Sequence, residues 1–353
     1  MHTCAGCGYF MSYTIKDIAK IAGVSHSTVS RCLNDSPLVS EKTKEKIKKI
    51  AKELHFEFNS NARYLSTKKT GTVAVIFPEA SNEKFMFSYY LSLMMFDIQA
   101  FFEKSSIDCI ITTSRNRYTG ESNILKVINR KKVDGLIIVH PDVDDDIMKR
   151  INSSGIPFIF LHYKPTYKKS EDFNYVTTNH YKGGYLATEF LIKQGLKKII
   201  NISIASHINR DLQFEERTDG YKSALKDHGI DEEYIIQGKP NFNFGQEFVK
   251  KNVQLIKKSD AIFAQADVIA LGLIKALNEQ NIRVPDDISV IGYDDLEIGN
   301  YVTPALTTIH QPVDEQIFYG CGRMIELMEK KSIEEKMQVI FDPKLIIRDS
   351  CIK

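Results

Sequence analysis

The amino-acid sequence predicts an α/β protein: an all-α helix-turn-helix head and hinge helix, then two doubly wound α/β subdomains. Two observations carry this prediction. Residues 14–54 show only the helical spacing of apolar residues, whereas from Gly71 onward short apolar strands alternate with amphipathic helices. Alternating strands and helices indicate parallel sheets, and here the alternation comes in two series. A chain of 353 residues is also too long for one small core.

The head begins with a short helix that Thr14 can cap. The residues of its apolar face recur at helical spacing: Ile15, Ile18, Ala19 and Ala22. Gly23 is predicted to end this helix, because glycine is favoured just after a helix C-terminus. Ser25 is a good cap for a second helix, so the two helices are joined by a tight turn.

The second helix has an apolar side and a polar side near its N-terminus. Val29, Cys32 and Leu33 form the apolar side. The residues left for the other side are short or cationic: His26, Ser27, Ser30 and Arg31. Two short helices joined by a glycine-containing turn, the second with a polar N-terminal face, are typical of a helix-turn-helix. The alternative is an ordinary solvated helix face.

Basic residues are concentrated in this part of the chain. Residues 14–69 contain 12 Lys and Arg and 6 Asp and Glu, a net charge of +6, while the rest carries a net charge of −4. Many of these lysines lie on a third predicted helix that Ser40 can cap; we interpret most as solvated and a few as close to phosphates. A basic head on a mildly acidic body is the charge distribution of a nucleic-acid-binding module.

The body is predicted as two series of strands and helices. The first has strands at Thr72–Phe77, Ile107–Thr112, Gly135–Val139 and Phe158–Leu161, with helices at about 85–104, 122–130 and 143–153. The second has strands at about 175–178, 198–204, 260–264 and 288–292, with helices at about 180–194, 214–228, 244–257 and 268–281. Ligands of such two-lobed proteins bind between the lobes, at the carboxyl ends of strands.

The head resembles that of the lactose-repressor (LacI-type) family of bacterial transcription regulators. The matching segments are Thr-Ile-Lys-Asp-Ile-Ala at 14–19, Ala-Gly-Val-Ser at 22–25 and Thr-Val-Ser-Arg at 28–31, followed by Asn34. The body resembles the family's core, which is related to periplasmic binding proteins, through the segments 183–188, 284–295 and 303–312. The resemblance implies a transcription regulator, most often a repressor, that binds palindromic double-stranded operator DNA as a homodimer under the control of a small, sugar-like effector.

A segment at 56–66 resembles the family's hinge, with Phe58 in place of the usual proline. The resemblance implies that this segment becomes ordered against its twofold mate and DNA. We expect Leu65 to insert between base pairs at the operator centre; the alternative is that it packs against the effector domain. The expected DNA contacts are Thr14, Ser25, His26, Ser27, Thr28, Ser30, Arg31, Asn34, Asn59, Ala62, Arg63 and Leu65.

Two residues of the body match the family's ligand contacts. Arg217 opens a helix after a strand, and Asp294 ends a strand, so that a donor and an acceptor could hold adjacent hydroxyls. The alternative is a structural ion pair between strand ends. His162 stands at a strand end where relatives often carry Asp. The other expected effector contacts are Phe85, Phe242, Phe244 and Asp267, and for the phenylalanines plain core packing is the alternative.

Four segments are predicted along the chain. These are an extension at 1–12, the helix-turn-helix domain at 13–58, the hinge at 59–69, and the effector-binding and dimerisation domain at 70–353. Within the last, we expect the chain to cross between subdomains near 174, 300 and 330. Cys4 and Cys7 form a CxxC in the extension, but no second ligand pair accompanies them, so we expect no metal site.

Several functional classes find no support in the sequence. It lacks the P-loop, GxSxG, HExxH and GxGxxG motifs, so we expect no catalytic residues, no enzyme and no cofactor. It also lacks a secretory signal and an uninterrupted apolar span, and its cysteines form no framework, which together predict a cytoplasmic protein without membrane contact. Two alternatives stay open: a regulator that uses a non-sugar metabolite as corepressor, and a solute-binding receptor.

Overall fold

The protein is described by a computed structural model. The described residues are 13–34, 36–54, 56, 69–78, 87–139, 143–165, 172–204, 212–329 and 335–351. The chain divides into two compact units, Met1–Gly71 and Thr72–Lys353. The expected extension at 1–12, and with it the CxxC, lies outside the described residues, as does most of the expected hinge.

The first unit contains the three helices that the sequence predicts, α1 (Ile15–Ala22), α2 (His26–Leu33) and α3 (Glu41–Glu53). Thr14 and Asp17 form a capping box at the start of α1, in which the backbone N–H of Thr14 donates to Asp17 at 2.8 Å. Gly23 ends α1 in the left-handed conformation, with φ of 70°. The three helices share one small core: Ile18, Ala19, Ala22, Val29, Cys32, Ile47 and Ala51.

The second unit begins with a lobe built on a six-stranded parallel sheet. Its elements are β1 (Thr72–Phe77), α4 (Phe87–Lys104), β2 (Asp108–Thr113), α5 (Asn123–Asn129), β3 (Gly135–Ile138), α6 (Asp145–Ser154), β4 (Phe158–His162) and β5 (Tyr175–Thr178), joined later by α11 (Val313–Glu329) and β11 (Gln338–Phe341). The strand order is β11-β5-β4-β3-β1-β2. Two separate apolar clusters pack against this sheet, one including α4 and α11 and the other including α5 and α6.

The second lobe is built on a four-stranded parallel sheet with the order β7-β6-β8-β9. Its elements are α7 (His180–Lys193), β6 (Ile199–Ile204), α8 (Gln213–Asp227), β7 (Tyr234–Gly238), α9 (Phe242–Ile256), β8 (Ala261–Ala264), α10 (Asp267–Glu279) and β9 (Ser289–Ile291). A short 3₁₀ helix follows at Glu297–Asn300. The antiparallel pair β10 (Thr308–His310) and β12 (Lys344–Ile346) completes the fold.

The predicted fold class is confirmed, with differences in the connections. The predicted strands and helices of both series are present, most with boundaries within two residues of those expected. The sequence analysis did not predict β7, β10, β11, β12 or α11. The chain changes lobe at 178–180, 310–313 and 341–344, so the crossings lie later than the expected positions near 174, 300 and 330. Within the described ranges, no helix combines the length and the apolar character needed to cross a membrane.

Candidate DNA-binding and effector sites

Some of the expected DNA-contact residues of the head hold the two helices in shape. Ser25 caps α2, and its hydroxyl accepts the backbone N–H of Thr28 at 3.1 Å. At the other end of α2, the Asn34 side chain donates to the carbonyl of Ser30 at 2.9 Å. Ser25, Thr28, Ser30 and Asn34 therefore fix the ends of the helix, and any contact they make with DNA stays a prediction.

Three of the remaining residues project into solvent. His26, Ser27 and Arg31 are exposed, while Val29 and Cys32 on the opposite side of α2 are fully buried. The head thus presents one cationic and two short polar side chains on a helix whose orientation is fixed by caps at both ends. Such a surface fits the major groove of DNA, where the N-terminal side chains of a recognition helix contact the edges of the bases.

Asn59, Ala62, Arg63, Leu65 and Phe85 lie outside the described residues. Their expected contacts with DNA and effector stay predictions from the sequence.

The effector candidates of the second unit meet at the carboxyl ends of strands from both lobes. Arg217 lies in the first turns of α8 and is only 2% exposed. Its guanidinium stacks on the ring of Tyr293, with 3.7 Å from Cζ to the ring centroid. It donates to the carbonyl of Gln265 at 2.5 Å and to Nδ1 of His180 at 3.3 Å. Arg217 is therefore held in a fixed orientation by residues of the second lobe.

A close helix–helix contact places Arg217 beside His180. A Cβ at Gly184 of α7 would lie 2.0 Å from the carbonyl oxygen of Arg217, and a Cβ at Gly220 of α8 would lie 2.0 Å from the carbonyl oxygen of Tyr181. Only glycine fits at both positions, because any side chain would collide with the facing backbone. The two glycines thus allow α7 and α8 to bring His180 and Arg217 within hydrogen-bonding distance.

Asp294 follows β9 with a backbone conformation that is unusual for a residue with a side chain. Its φ is 114°, and the neighbouring Asp295 and the first lobe's His162 also have positive φ, at 54° and 72°. Such positions are strained and persist where surrounding contacts enforce them, commonly at functional sites. Oδ1 of Asp294 accepts the side-chain amide of Gln311 at 2.8 Å. Burial raises the pKa of the Asp294 carboxyl to about 6, although the charge of Arg217 opposes the shift.

His162 ends β4 and lies in the same buried region. Its Nδ1 is 3.2 Å from the amide oxygen of Gln316, whose nitrogen donates to the hydroxyl of Thr178. Its ring centroid lies 5.4 Å from that of Tyr90 and 6.4 Å from that of His180. Burial lowers the pKa of His162 to about 4, which keeps the imidazole neutral at physiological pH.

Asp267 is completely buried, and both of its carboxylate oxygens have partners within the protein. One accepts the hydroxyl of Thr308 at 2.6 Å and the other accepts the backbone N–H of Leu296 at 2.7 Å. Burial raises the pKa of Asp267 well above its usual range, and the negative charge of Asp294 adds to this shift. These bonds give Asp267 a role in tying β10 and the segment after β9 to α10, so direct effector contact stays a prediction.

The two phenylalanines of α9 pack against the apolar core of the second lobe. The ring of Phe244 stacks on Phe248, with centroids 6.2 Å apart, and lies against Gly238. Phe242 is half-buried at the start of the helix. This packing agrees with the alternative stated for both residues, and contact with an effector stays a prediction.

Three polar residues that the sequence analysis did not select complete the site. Each has a buried polar side-chain atom that finds no hydrogen-bond partner within the described ranges: the Tyr90 hydroxyl, Nε2 of His180 and Oε1 of Gln311. Gln311 could have been found from the segment 303–312, which the resemblance already singled out. Tyr90 and His180 carried no such signal, because only the fold brings helices α4 and α7 to this point.

This region at the strand ends, called the cleft below, contains the guanidinium of Arg217, the carboxyl groups of Asp267 and Asp294, and three polar atoms without a hydrogen-bond partner among the described residues. Buried polar groups in folded proteins are almost always paired, so three unpaired ones in one region indicate a site for a polar ligand. Among the residues that the structure describes, no group of three or more His, Cys, Asp and Glu side chains is placed to hold a metal ion.

Comparison with known proteins gives the same division of the chain. A family model described as bacterial regulatory proteins, lacI family, matches residues 14–59. A model described as a periplasmic binding protein-like domain matches residues 188–351. The HTH-type transcriptional repressor PurR of Vibrio atlanticus (strain LGP32) is 32% identical over 304 residues, which cover 85% of this chain and 87% of the relative.

Two solved structures share the fold. The lac repressor dimer bound to operator and the anti-inducer ONPF has a TM-score of 0.76 and 23% identity, covering 97% of this chain and 100% of that one. A LacI family transcriptional regulator from Enterococcus faecium with bound ribose has a TM-score of 0.68 and 25% identity, covering 79% of this chain and 98% of that one. The all-α head followed by two parallel-sheet lobes is common to this chain and the lac repressor.

Proposed function

Because the chain belongs to the LacI family of bacterial regulatory proteins, it is a DNA-binding transcription regulator, and we propose that it is a repressor controlled by a small polyhydroxylated effector. The effector is a sugar or a sugar derivative that binds between the two lobes of the second unit. We assign the protein to the cytoplasm, because a bacterial regulator of this family acts on the chromosome. Family membership also makes a solute-binding receptor or an enzyme the weaker interpretation.

On the DNA side, the proposal rests on the exposed polar face of α2. Arg31 reads a guanine edge in the major groove, and His26 and Ser27 contact bases at neighbouring steps. A homodimer presents two such helices, so the operator is palindromic. Asn59, Ala62, Arg63 and Leu65 add minor-groove contacts at its centre.

On the effector side, the observation that carries the proposal is the pairing of a fixed donor with a fixed acceptor across one buried region. Arg217 is held by Tyr293, Gln265 and His180, whereas Asp294 is held by Gln311. Each charge has its own partners, which does not agree with a simple structural ion pair between them. A guanidinium and a carboxylate held in this way can bind adjacent hydroxyls, one accepting and one donating.

The unpaired atoms favour a neutral ligand over an anionic one. Asp294 and the unpaired Oε1 of Gln311 are both acceptors, since the amide nitrogen of Gln311 already donates to Asp294. A ligand near them must supply hydrogen-bond donors. Hydroxyl groups do so without adding charge, whereas a phosphate or carboxylate would repel the Asp294 carboxylate in a region of low dielectric. The ribose-bound relative is consistent with a ligand of this kind.

A thermal-shift screen of the full-length protein tests the proposal. The panel contains D-ribose, D-glucose, D-galactose, cellobiose, sugar phosphates and nucleobases, because a ligand that binds only the native state raises the melting temperature by mass action. We expect at least one neutral sugar to stabilise the wild type and to have no effect on Asp294→Asn. Asp286→Asn is the matched control, since Asp286 is an exposed carboxylate before β9, paired with Arg283.

The screen also identifies the competing outcome. Stabilisation by a nucleobase alone, or by sugar phosphates alone, would reject the neutral polyol and support a corepressor of another class. Equal stabilisation of the wild type and Asp294→Asn by a sugar would move the effector site away from this cleft.

A further inference from the structure

His180 is the first residue of α7 and lies at the junction of the two lobes. It is 1% exposed, and its ring packs near His162 of the first lobe and Tyr293 of the second, with centroid distances of 6.4 and 6.1 Å. The preceding residue, Asn179, caps the helix through the backbone N–H of Lys182. The backbone position of His180 is therefore fixed.

The partners of its ring decide which nitrogen carries the proton. Nδ1 of His180 accepts the Nε–H of Arg217 at 3.3 Å, and the hydroxyl of Tyr293 lies 3.2 Å from the same atom. A guanidinium can only donate, so Nδ1 must be the acceptor. A neutral imidazole with a free lone pair on Nδ1 carries its proton on Nε2. His180 is thus a hydrogen-bond donor at Nε2.

That donor is buried and has no hydrogen-bond partner among the residues that the structure describes. Burial, together with the nearby charge of Arg217, lowers the pKa of His180 well below its usual range, so the ring does not become charged instead. A buried donor without an acceptor is costly, and native structures rarely keep one. We take the group that satisfies it to belong to a bound ligand.

We propose that His180 is a specificity-determining residue whose Nε2–H donates to an acceptor oxygen of the effector. This inference rests on the proposed function, because it takes the molecule bound beside Arg217 and Asp294 to be the effector. It assigns His180 a contact separate from those of Arg217 and Asp294. An effector lacking that one oxygen leaves the donor unpaired, so the site rejects the corresponding deoxy sugar far more strongly than a purely apolar pocket would.

A different role would explain part of the same geometry. His180 could serve only to position Arg217, through the bond at Nδ1. The two roles use different nitrogens of one ring. The shorter amide of asparagine can replace Nδ1, and the longer amide of glutamine can replace Nε2. In His180→Asn, the amide oxygen lies near the place of Nδ1 and can still accept from Arg217, but no donor reaches the place of Nε2. In His180→Gln, an amide N–H reaches that place.

The experiment uses isothermal titration calorimetry on the full-length protein. It measures the affinity for one neutral sugar, the one of the panel that most stabilises the wild type. It then measures the affinity for each monodeoxy analogue of that sugar. In the wild type, one analogue is expected to bind at least tenfold more weakly. His180→Asn should lose at least tenfold for the parent sugar and no longer discriminate against that analogue. His180→Gln should keep both the affinity and the discrimination within about threefold. Melting temperatures without sugar check that both variants fold.

The remaining outcomes overturn the proposal in distinguishable ways. Wild-type affinity in His180→Asn would reduce His180 to a positioning residue for Arg217 and leave the proposed function intact. If both variants weaken binding and still discriminate against the same analogue as the wild type does, the oxygen is read by another residue. A wild type that binds no sugar of the panel would reject the sugar effector itself, and this inference with it.

Discussion

The proposed DNA-contact residues of the head are exposed, whereas the proposed effector contacts of the cleft are buried. In the head, the candidate contact residues His26, Ser27 and Arg31 project from a helix into solvent, above a core of only seven buried apolar residues. In the cleft, Arg217 is 2% exposed and Asp267 is fully buried. DNA is a large ligand that meets a preformed surface, whereas a small effector must be enclosed by segments distant in sequence. Operator binding should therefore depend on single exposed side chains in the head. Effector binding should depend on a connected network of buried side chains in the cleft.

This difference in exposure also decides how strongly an arginine of each region interacts with its partners. Arg31 faces water, where salt screens its interactions, while Arg217 lies in a region of low dielectric with several partners. Removing one arginine in each region is thus expected to have unequal consequences.

The largest effect is expected for Arg217→Ala. Hydrogen bonds to a charged group contribute about 1.5–3 kcal/mol each, so loss of two to the effector should weaken its binding by about 100-fold or more. Operator affinity without effector should stay within about threefold of the wild type. Calorimetry with the sugar from the screen, and fluorescence anisotropy on operator DNA, measure the two quantities. Arg283→Ala, which removes a surface arginine paired with Asp287, is the control. Unchanged effector affinity in Arg217→Ala would remove this residue from the site.

Asp267→Ala tests whether the cleft is one connected network. The substitution leaves the Thr308 hydroxyl and the Leu296 N–H buried without acceptors, so we expect the second unit to lose about 2–4 kcal/mol of unfolding free energy. Urea denaturation measures this loss. Ser25→Ala provides the comparison in the head, where loss of a helix cap costs about 1 kcal/mol. A variant with normal stability and weakened effector binding would instead make Asp267 a direct contact.

Arg31→Ala tests the head. Loss of a base contact should cost about 1–3 kcal/mol and relax the preference at one position of each half-site. Effector binding should not change, because Arg31 belongs to the other compact unit. Binding to a library of operator variants measures the preference, and Lys42→Ala on α3 serves as the control for a solvated charge. Equal weakening on every sequence would assign Arg31 to phosphates.

A smaller and graded effect is expected from pH. The Asp294 carboxyl has a pKa of about 6 and must be ionised to accept a hydroxyl from the effector. Effector affinity should therefore fall by up to about tenfold per pH unit below pH 6 and level off above it. Because this pKa is raised on folding, the same group lowers stability as pH rises from about 4 to 6, so protonation of Asp294 does not itself destabilise the protein at low pH. Calorimetry between pH 5 and 8 should show this dependence in the wild type and equally in Asp286→Asn, which loses an exposed carboxylate and keeps the Asp294 carboxyl.

The two regions also differed in how far the sequence predicted them. The head depends on local signals, such as the caps Thr14 and Ser25 and the break at Gly23, and all three act as expected. In the cleft, Arg217 and Asp294 were selected because they match a family pattern, and the structure brings them to one region. His180 and Tyr90 were not selected, because their meeting depends on the packing of α7 on α8 and of α4 between the lobes.

The missed elements have a similar cause. Strand β11 forms the edge of the first sheet, and β10 and β12 are three residues long and pair with each other. Short strands that depend on distant partners carry little periodicity of their own. The predicted crossing points were early because β5 and β11 both belong to the first lobe, which only the sheet order shows.

The central claim is that separate residues recognise DNA and effector, in the head and in the cleft. The most direct measurement compares the wild type, Arg31→Ala and Arg217→Ala on one operator. The operator is obtained by in vitro selection with the wild type, and its affinity is measured by anisotropy with and without the sugar from the screen. Arg31→Ala should lose sequence preference and keep its calorimetric affinity for the sugar. Arg217→Ala should keep wild-type preference and affinity for the operator, with no change on adding the sugar. A normal response to sugar in Arg217→Ala, or a loss of sugar binding in Arg31→Ala, would contradict the account.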